Sequence, residues 1–137
     1  MNARRDLTWW LLIAGGGVGA ANAAWMLVAP LSWYHGLPAD VPDTGPYNEH
    51  FVRDIGTAFA TMAVALVWAA VAPRWRAPLV AIVAIFLSAH AALHVFDTAR
   101  GFLDAHHWLL DAPAVYLPPV VLVPFAWRCL RRAAVTT

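Results

Sequence analysis

Long apolar segments alternate with short polar ones along this chain, and four of the apolar segments have the length of a membrane span. They cover approximately residues 7–29, 50–72, 78–98 and 107–130. A helix needs about 20 mostly apolar residues to cross the hydrocarbon core of a bilayer. The pattern therefore predicts a single all-α domain over residues 1–137, a four-transmembrane-helix bundle.

Proline and glycine separate the apolar segments. Pro30 follows the first segment, and Pro73 and Pro78 lie between the second and the third. The stretch Leu31–Asn48 contains several prolines and glycines, which favour turns because of their special backbone conformations. This stretch is therefore predicted to be a loop between the first two spans.

The arginines predict the orientation of the spans. Seven of the nine arginines fall before the first span, between the second and third, or at the end of the fourth: Arg4, Arg5, Arg74, Arg76, Arg128, Arg131 and Arg132. Basic residues accumulate on the cytoplasmic side of membrane proteins. Both termini are therefore predicted to be cytoplasmic, and the other two connections should face the periplasm or exterior of a bacterial inner (plasma) membrane.

The composition supports a membrane protein and excludes several other classes. Hydrophobic residues make up 61% of the chain and charged residues only 12%, whereas soluble domains contain about 25% charged residues. A net charge of +1 gives no indication of nucleic-acid binding. Cys129 is the single cysteine, so no intrachain disulfide can form. The expected partners are the lipid bilayer and either further copies of the chain or a larger membrane complex.

The ionisable residues are concentrated at one end of the predicted bundle. All six histidines, and every acidic residue except Asp6, lie at or near the span ends that should face away from the cytoplasm: His35, Asp40, Asp43, Glu49, His50, Asp54, His90, His94, Asp97, Asp104, His106, His107 and Asp111. Ionisable groups at membrane depth are costly and commonly mark a functional site.

This mixture of imidazoles and carboxylates predicts a transition-metal site. His90 and His94 are four residues apart, so they share one helix face and can hold one ion. Such ligands suit copper(II), zinc and iron. We expect His50 from the second span to complete a ligand set with His90 and His94. Further ligands, or side chains that orient the ligands, are expected among four residues: Asp54, Asp97, His107 and Asp111.

A structural role for the same polar residues is the competing interpretation. His50 and His107 stand at the starts of spans, where interfacial histidines are common. Asp97 can pair with Arg100, and His106 is expected to be a solvated loop residue. The first span carries Gly15 and Gly19 on one face, and small residues of this kind allow close helix packing.

Several functions fit a metal site in such a bundle. The first hypothesis is a redox or oxygen-activating enzyme that acts on a small or lipophilic substrate. The alternatives are a metal-handling or assembly protein, a haem-binding protein with His90 as an axial ligand, and a structural subunit of a larger membrane complex. A coordination position left open beside an apolar cavity would favour the enzyme, whereas a saturated site would favour handling or structure.

The chain also resembles the DoxX-like small four-helix membrane proteins of bacteria. The resemblance rests on Trp33 and Tyr34 after the first span and on the stretch 48–56 that opens the second, where Arg53 and Gly56 match an Arg-x-x-Gly pattern. It implies a four-helix membrane fold and an association with quinone-linked oxidoreduction. The histidines belong to no pattern that the resemblance carries over.

Overall fold

The computed structural model describes residues 6–135, and all regular secondary structure in that range is helical. The α-helices are α1 (Leu7–Val28), α2 (Pro30–Gly36), α3 (Glu49–Val71), α4 (Arg76–Ala99), α5 (His107–Leu110) and α6 (Leu117–Val135). Short 3-10 turns at Val41–Thr44 and Pro73–Trp75 and a π-helical turn at Ala112–Tyr116 connect them. The prediction of an all-α fold is confirmed.

Four helical segments are long and apolar enough to cross a bilayer: Leu7–Val28, Glu49–Val71, Pro73–Ala99 and Ala112–Arg132. The first three agree closely with the predicted spans. The fourth differs, because the chain after His107 forms a short helix and a π-helical turn before α6 begins. Pro118 and Pro119 lie in the first turn of α6, where prolines fit best because the backbone N–H they lack would have no helical partner there.

The connection between the first two spans also differs from a plain loop. Pro30 is the first residue of α2, and its fixed φ suits that position. Trp25 Nε1 donates to Ser32 Oγ at 3.2 Å, and Trp33 Nε1 donates to Asn22 Oδ1 at 2.9 Å. These bonds hold α2 against the end of α1, so the segment after the first span is folded back onto it.

Local signals in the sequence set the ends of the long helices. The Asp6 carboxylate accepts a hydrogen bond from the backbone N–H of Trp9, and the Asn48 side chain accepts one from Phe51, so both α1 and α3 have N-caps. At the other end of α3, Arg76 Nε donates to the carbonyl of Ala69 at 3.1 Å. The backbone groups left over at these helix ends are thereby satisfied.

The long helices pack in chain order. α1 lies against α3, α3 against α4, and α4 against α6, whereas α1 and α6 do not bring Cα atoms within 8 Å of each other in residues 6–135. The core is formed by small and medium apolar side chains of all four helices, among them Leu12, Leu66, Val83 and Ala126. The outward faces carry exposed apolar side chains such as Ile85, as helices that contact lipid do.

The tightest helix contact joins α1 to α3. A Cβ atom added at Gly16 would lie 2.7 Å from Val67 Cγ2 and 3.1 Å from the carbonyl oxygen of Ala63. Gly15 and Gly19 also face α3, at ordinary van der Waals distances. Small residues on α1 therefore do permit close packing, but the closest approach is at Gly16 and not at the two predicted glycines.

The bundle has two chemically different ends. Arg74, Arg76, Arg128 and Arg131 lie where α3 ends, α4 begins and α6 ends, and we call this the arginine end. The opposite end, which contains α2, α5 and the 3-10 turn Val41–Thr44, is called the histidine end. Arg4 and Arg5 lie outside the described residues. The charge separation on which the predicted orientation depends is therefore present in residues 6–135, but no membrane side is assigned by it alone.

Candidate metal centre

A buried ion pair or hydrogen bond joins α4 to the segment that leads into α6. His94 Nδ1 lies 2.8 Å from Asp111 Oδ2, and the Asp111 side chain is only 1% exposed. The π-helical turn begins directly after Asp111, whose carbonyl accepts from Val115 at 2.8 Å and from Tyr116 at 3.3 Å. Turns of this kind are frequent at functional sites, and this one fixes the backbone that carries the carboxylate.

His107 continues the contact from Asp111 towards the surface. Its side chain is fully buried, at 0% exposure. Nδ1 lies 3.5 Å from Asp111 Oδ2, without the alignment of a hydrogen bond, and Nε2 lies 3.4 Å from Asp43 Oδ2. One ring nitrogen therefore faces a buried carboxylate and the other faces a carboxylate of the connection between α2 and α3.

His106 lies beside His107, with ring centroids 4.6 Å apart. Its Nε2 is 3.5 Å from Asp40 Oδ2 and 3.8 Å from Asp43 Oδ2. The side chains of His106, Asp40 and Asp43 are all partly exposed. Two acidic residues between α2 and α3 thus face two histidines between α4 and α6, at the surface of the histidine end.

The backbone conformation between α2 and α3 determines where the carboxylates of Asp40 and Asp43 lie. Asp40 has a left-handed backbone with φ of 42°, a conformation that Asp adopts more readily than most residues. The 3-10 turn that follows is closed by the hydroxyl of Thr44, which donates to the carbonyl of Val41 at 2.7 Å. Tyr34 OH donates to the carbonyl of Gly45 at 2.6 Å, which anchors the turn to α2.

Three residues meet the geometric requirement for a metal site. One ligand atom each from Asp43, His106 and His107 can be chosen so that all three lie within 4.8 Å of one another. We call these residues the three-ligand site. Within residues 6–135 no other group of three or more His, Cys, Asp or Glu side chains converges in this way.

The remaining predicted residues are distributed differently. His90 extends the cluster into α4: its ring lies 4.7 Å from that of His94, stacks on Phe86 at 6.2 Å and meets Phe59 edge-on at 6.0 Å. His90 has no carboxylate partner among the described contacts. It is held mainly between aromatic rings.

His50 and Asp54 lie apart from the cluster. They pair with each other on α3 at 3.3 Å, and their side chains are 89% and 63% exposed. Asp97 Oδ1 accepts a hydrogen bond from Arg100 Nε at 2.9 Å and lies 2.8 Å from Arg100 Nη2 in an ion pair. The structure therefore brings together His90, His94, His107 and Asp111 of the predicted set. It leaves His50, Asp54 and Asp97 paired with residues three or four positions away in the sequence.

Sequence reasoning missed two of the three residues of the three-ligand site. Asp43 was not among the candidate ligands, and His106 was expected to be a solvated loop residue. A usable signal was present: Asp40 and Asp43 lie in one predicted non-cytoplasmic connection, and His106 and His107 lie in the other. Two connections at one end of a bundle can meet, but the sequence does not show which of their side chains do.

The arrangement has the features of a metal site with an orienting carboxylate. Histidines that bind metals usually direct their second ring nitrogen at a carboxylate or carbonyl, which fixes the orientation of the ring. The Asp111 carboxylate lies on that side of His107, with its Oδ2 3.5 Å from Nδ1. Nitrogen and oxygen ligands without sulfur suit zinc, iron and copper(II) better than copper(I). Three protein ligands leave a fourth tetrahedral position for water or another group.

Comparison with known proteins adds no assignment. No protein-family model matches the chain, and no curated protein and no solved structure is significantly similar to it. The resemblance to DoxX-like proteins and the quinone-linked role it implies stay predictions, and the chemistry of the histidine end is the basis for a functional proposal.

Proposed function

We propose that this protein is an integral membrane metalloprotein that binds one divalent transition-metal ion at the histidine end of its helices. The observation that carries the proposal is the convergence of Asp43, His106 and His107 within 4.8 Å. Zinc is the expected ion, with iron and copper(II) as competitors, because the ligands are imidazole and carboxylate groups. The ligand set is revised from that expected from the sequence, with His107 common to both.

Metal handling is the role that this geometry supports best. Asp43 and His106 are partly exposed, so an ion can enter from solution and leave again without opening the bundle. The buried His107 provides a fixed anchor, and the Asp111 carboxylate lies beside its Nδ1. If the arginine end faces the cytoplasm, as basic residues favour, the site receives its ion from the periplasm or exterior of a bacterial plasma membrane.

An enzyme acting on a lipophilic substrate is the second candidate, and one observation favours it. Trp108, which follows His107 directly, lines an open apolar groove between α4 and α6 together with Val95, Tyr116 and Val120. A fourth coordination position beside such a groove is the arrangement expected for a metal-dependent oxidoreductase with a hydrophobic substrate. The two candidates share the ion and differ in whether a substrate occupies the groove.

The deciding experiment measures metal in the purified protein. Detergent-solubilised protein is offered zinc, iron or copper(II), passed over a desalting column and assayed by elemental analysis. We expect one ion per chain, lost in His107→Ala and strongly reduced in Asp43→Asn. His35→Ala is the matched control, since His35 is an exposed histidine on α2 that has no place in the site.

Two results would overturn the proposal. One is wild-type protein that retains none of these metals. The other is equal metal content in the wild type and in His107→Ala. If an ion is bound, the enzyme candidate is tested by placing a bulky charged residue in the groove with Val120→Arg: an unchanged turnover of every lipophilic substrate found would eliminate the groove as a substrate site.

A further inference from the structure

The polar face of α3 that lies outside the metal cluster requires its own explanation. His50, Asp54, Thr57 and Thr61 recur every three or four residues, and all four are exposed. We call them the α3 polar stripe. Successive residues of an α-helix are about 100° apart around its axis. The stripe therefore points in a direction about opposite to the buried side of α3, which contains Val52, Gly56, Ala63, Leu66 and Ala70. The stripe therefore faces away from α1 and α4.

The stripe extends deep into a helix that is long and apolar enough to cross a bilayer. Thr61 is twelve residues after Glu49, which places it about 18 Å along the helix at 1.5 Å per residue. The hydrocarbon core of a bilayer is about 30 Å thick, so the stripe reaches towards its middle. Lipid tails offer these polar groups no hydrogen-bonding partner, whereas polar side chains between packed helices do find partners.

Within the monomer, the threonine hydroxyls of the stripe donate hydrogen bonds only to carbonyls of their own helix. Thr57 donates to the carbonyl of Asp54 at 2.7 Å, and Thr61 donates to the carbonyl of Thr57 at 2.9 Å. Each hydroxyl oxygen keeps its acceptor capacity, and within residues 6–135 the stripe makes no hydrogen bond or ion pair with another helix. The ionisable side chains pair only along their own helix, His50 with Asp54 and Arg53 with Glu49.

Asp54 of the stripe and the neighbouring Arg53 are arranged to complement a second copy of the same surface. Viewed down the helix axis, Arg53 lies about 60° to one side of the direction midway between Thr57 and Thr61, and Asp54 lies about 40° to the other side. In an isologous pair related by a two-fold axis, a residue on one flank of that direction meets the residue on the opposite flank in the other copy. Arg53 of each copy would then face Asp54 of the other, so the surface is self-complementary in charge.

We propose that the protein forms a two-fold symmetric dimer in the membrane through the α3 polar stripe, with Arg53 and Asp54 of one copy facing Asp54 and Arg53 of the other. The exposed pairs within each helix contribute little to stability, so exchanging them for pairs across the interface costs little. The dimer removes the threonine hydroxyls from lipid and leaves the three-ligand site untouched, since that site is formed by other elements.

Cross-linking at the stripe tests the interface. In a Cys129→Ser background, Thr57→Cys is treated in native membranes with a short bismaleimide, which reacts only with cysteines that lie close together. We expect a product of twice the chain mass. Ile85→Cys is the matched control, because Ile85 is also exposed but lies on the outward face of α4. Equal cross-linking of both variants, no product with either, or a product with a different protein would each overturn the proposal.

Charge reversal tests the pairing itself. Arg53→Asp and Asp54→Arg each place like charges opposite one another, so both single variants should lose the cross-linked product of Thr57→Cys at a protein-to-lipid ratio at which the parent is dimeric. The double variant exchanges the charges and should restore the product. If the double variant is helical by circular dichroism but remains monomeric, the pairing of Arg53 with Asp54 is wrong.

Discussion

The Nδ1 atom of His94 lies 2.8 Å from the Oδ2 atom of Asp111, and the same oxygen faces Nδ1 of His107 at 3.5 Å. One buried carboxylate therefore joins a histidine of α4 to the histidine that anchors the three-ligand site. A buried carboxylate requires such partners, because an unpaired charge away from water is strongly unfavourable. The contact connects the packing of the helices to the geometry of the proposed metal site.

Replacing this carboxylate should weaken both the bundle and the site. Asp111→Asn puts an amide where one oxygen faces two ring nitrogens, so at least one favourable contact is lost. We expect a loss of about 1–3 kcal/mol in the free energy of unfolding, the usual cost of an unsatisfied buried partner. Denaturant titration in detergent measures it. Asp104→Asn, at an exposed position, should change little, and equal effects of the two variants would refute a special role for Asp111.

Substitution of two neighbouring glycines of α1 by alanine should change the stability of the fold in opposite directions. Gly16→Ala puts a methyl group into contact with Val67 and the carbonyl of Ala63, and overpacking of this kind costs about 1–3 kcal/mol. Gly17→Ala meets no atom within 4 Å and should stabilise the helix by up to about 1 kcal/mol through helix propensity. Thermal unfolding followed by tryptophan fluorescence compares them, and similar melting temperatures would contradict the packing of α1 on α3.

Histidine variants distinguish the revised ligand set from the one expected from the sequence. His106→Ala and His107→Ala should lose bound zinc, because each removes one of three ligands. His90→Ala should keep it, since His90 is held between aromatic rings and is not part of the three-ligand site. Isothermal titration calorimetry with zinc gives the affinities. Loss of binding in His90→Ala together with retention in His106→Ala would support the site built on His90 and His94 instead.

Bound metal should stabilise the folded protein. A ligand that binds only the folded state at one hundred times its dissociation constant adds about 2.7 kcal/mol. The three-ligand site joins Asp43 to His107 across 64 positions of sequence, so its ion links the two connections of the histidine end. Melts with zinc and with a chelator should therefore differ for the wild type and coincide for His107→Ala. Identical melts of the wild type under both conditions would show that its folded state gains nothing from zinc.

Labelling of single cysteines tests the predicted orientation. In a Cys129→Ser background, Pro38→Cys lies at the histidine end and Pro73→Cys at the arginine end, and both positions are exposed. A membrane-impermeant maleimide added to intact cells should label Pro38→Cys, and should label Pro73→Cys only after the cells are opened. The reverse pattern would place the three-ligand site in the cytoplasm and contradict the orientation that the arginines predict.

The sequence by itself determined the four apolar helices and most of their ends. Hydrophobic length, the N-caps Asp6 and Asn48, and the prolines that follow α1 and α3 are local features, and helix formation responds to local features. The concentration of histidine and acid at one end could also be read directly, because consecutive spans of a bundle alternate in direction. Asp97 and Arg100 are only three positions apart in the sequence. Their pairing could therefore be expected from the sequence, as part of the structural interpretation of the polar residues.

Only the tertiary structure decided which polar side chains meet. The contact of His107 with Asp43 depends on the left-handed backbone of Asp40, on the anchored 3-10 turn and on the short helix α5 that begins at His107. The outward direction of His50 and Asp54 depends on which face of α3 packs against α1 and α4. Helical spacing places residues on a common face but does not say what that face contacts, because the rotation of a helix is fixed by its neighbours.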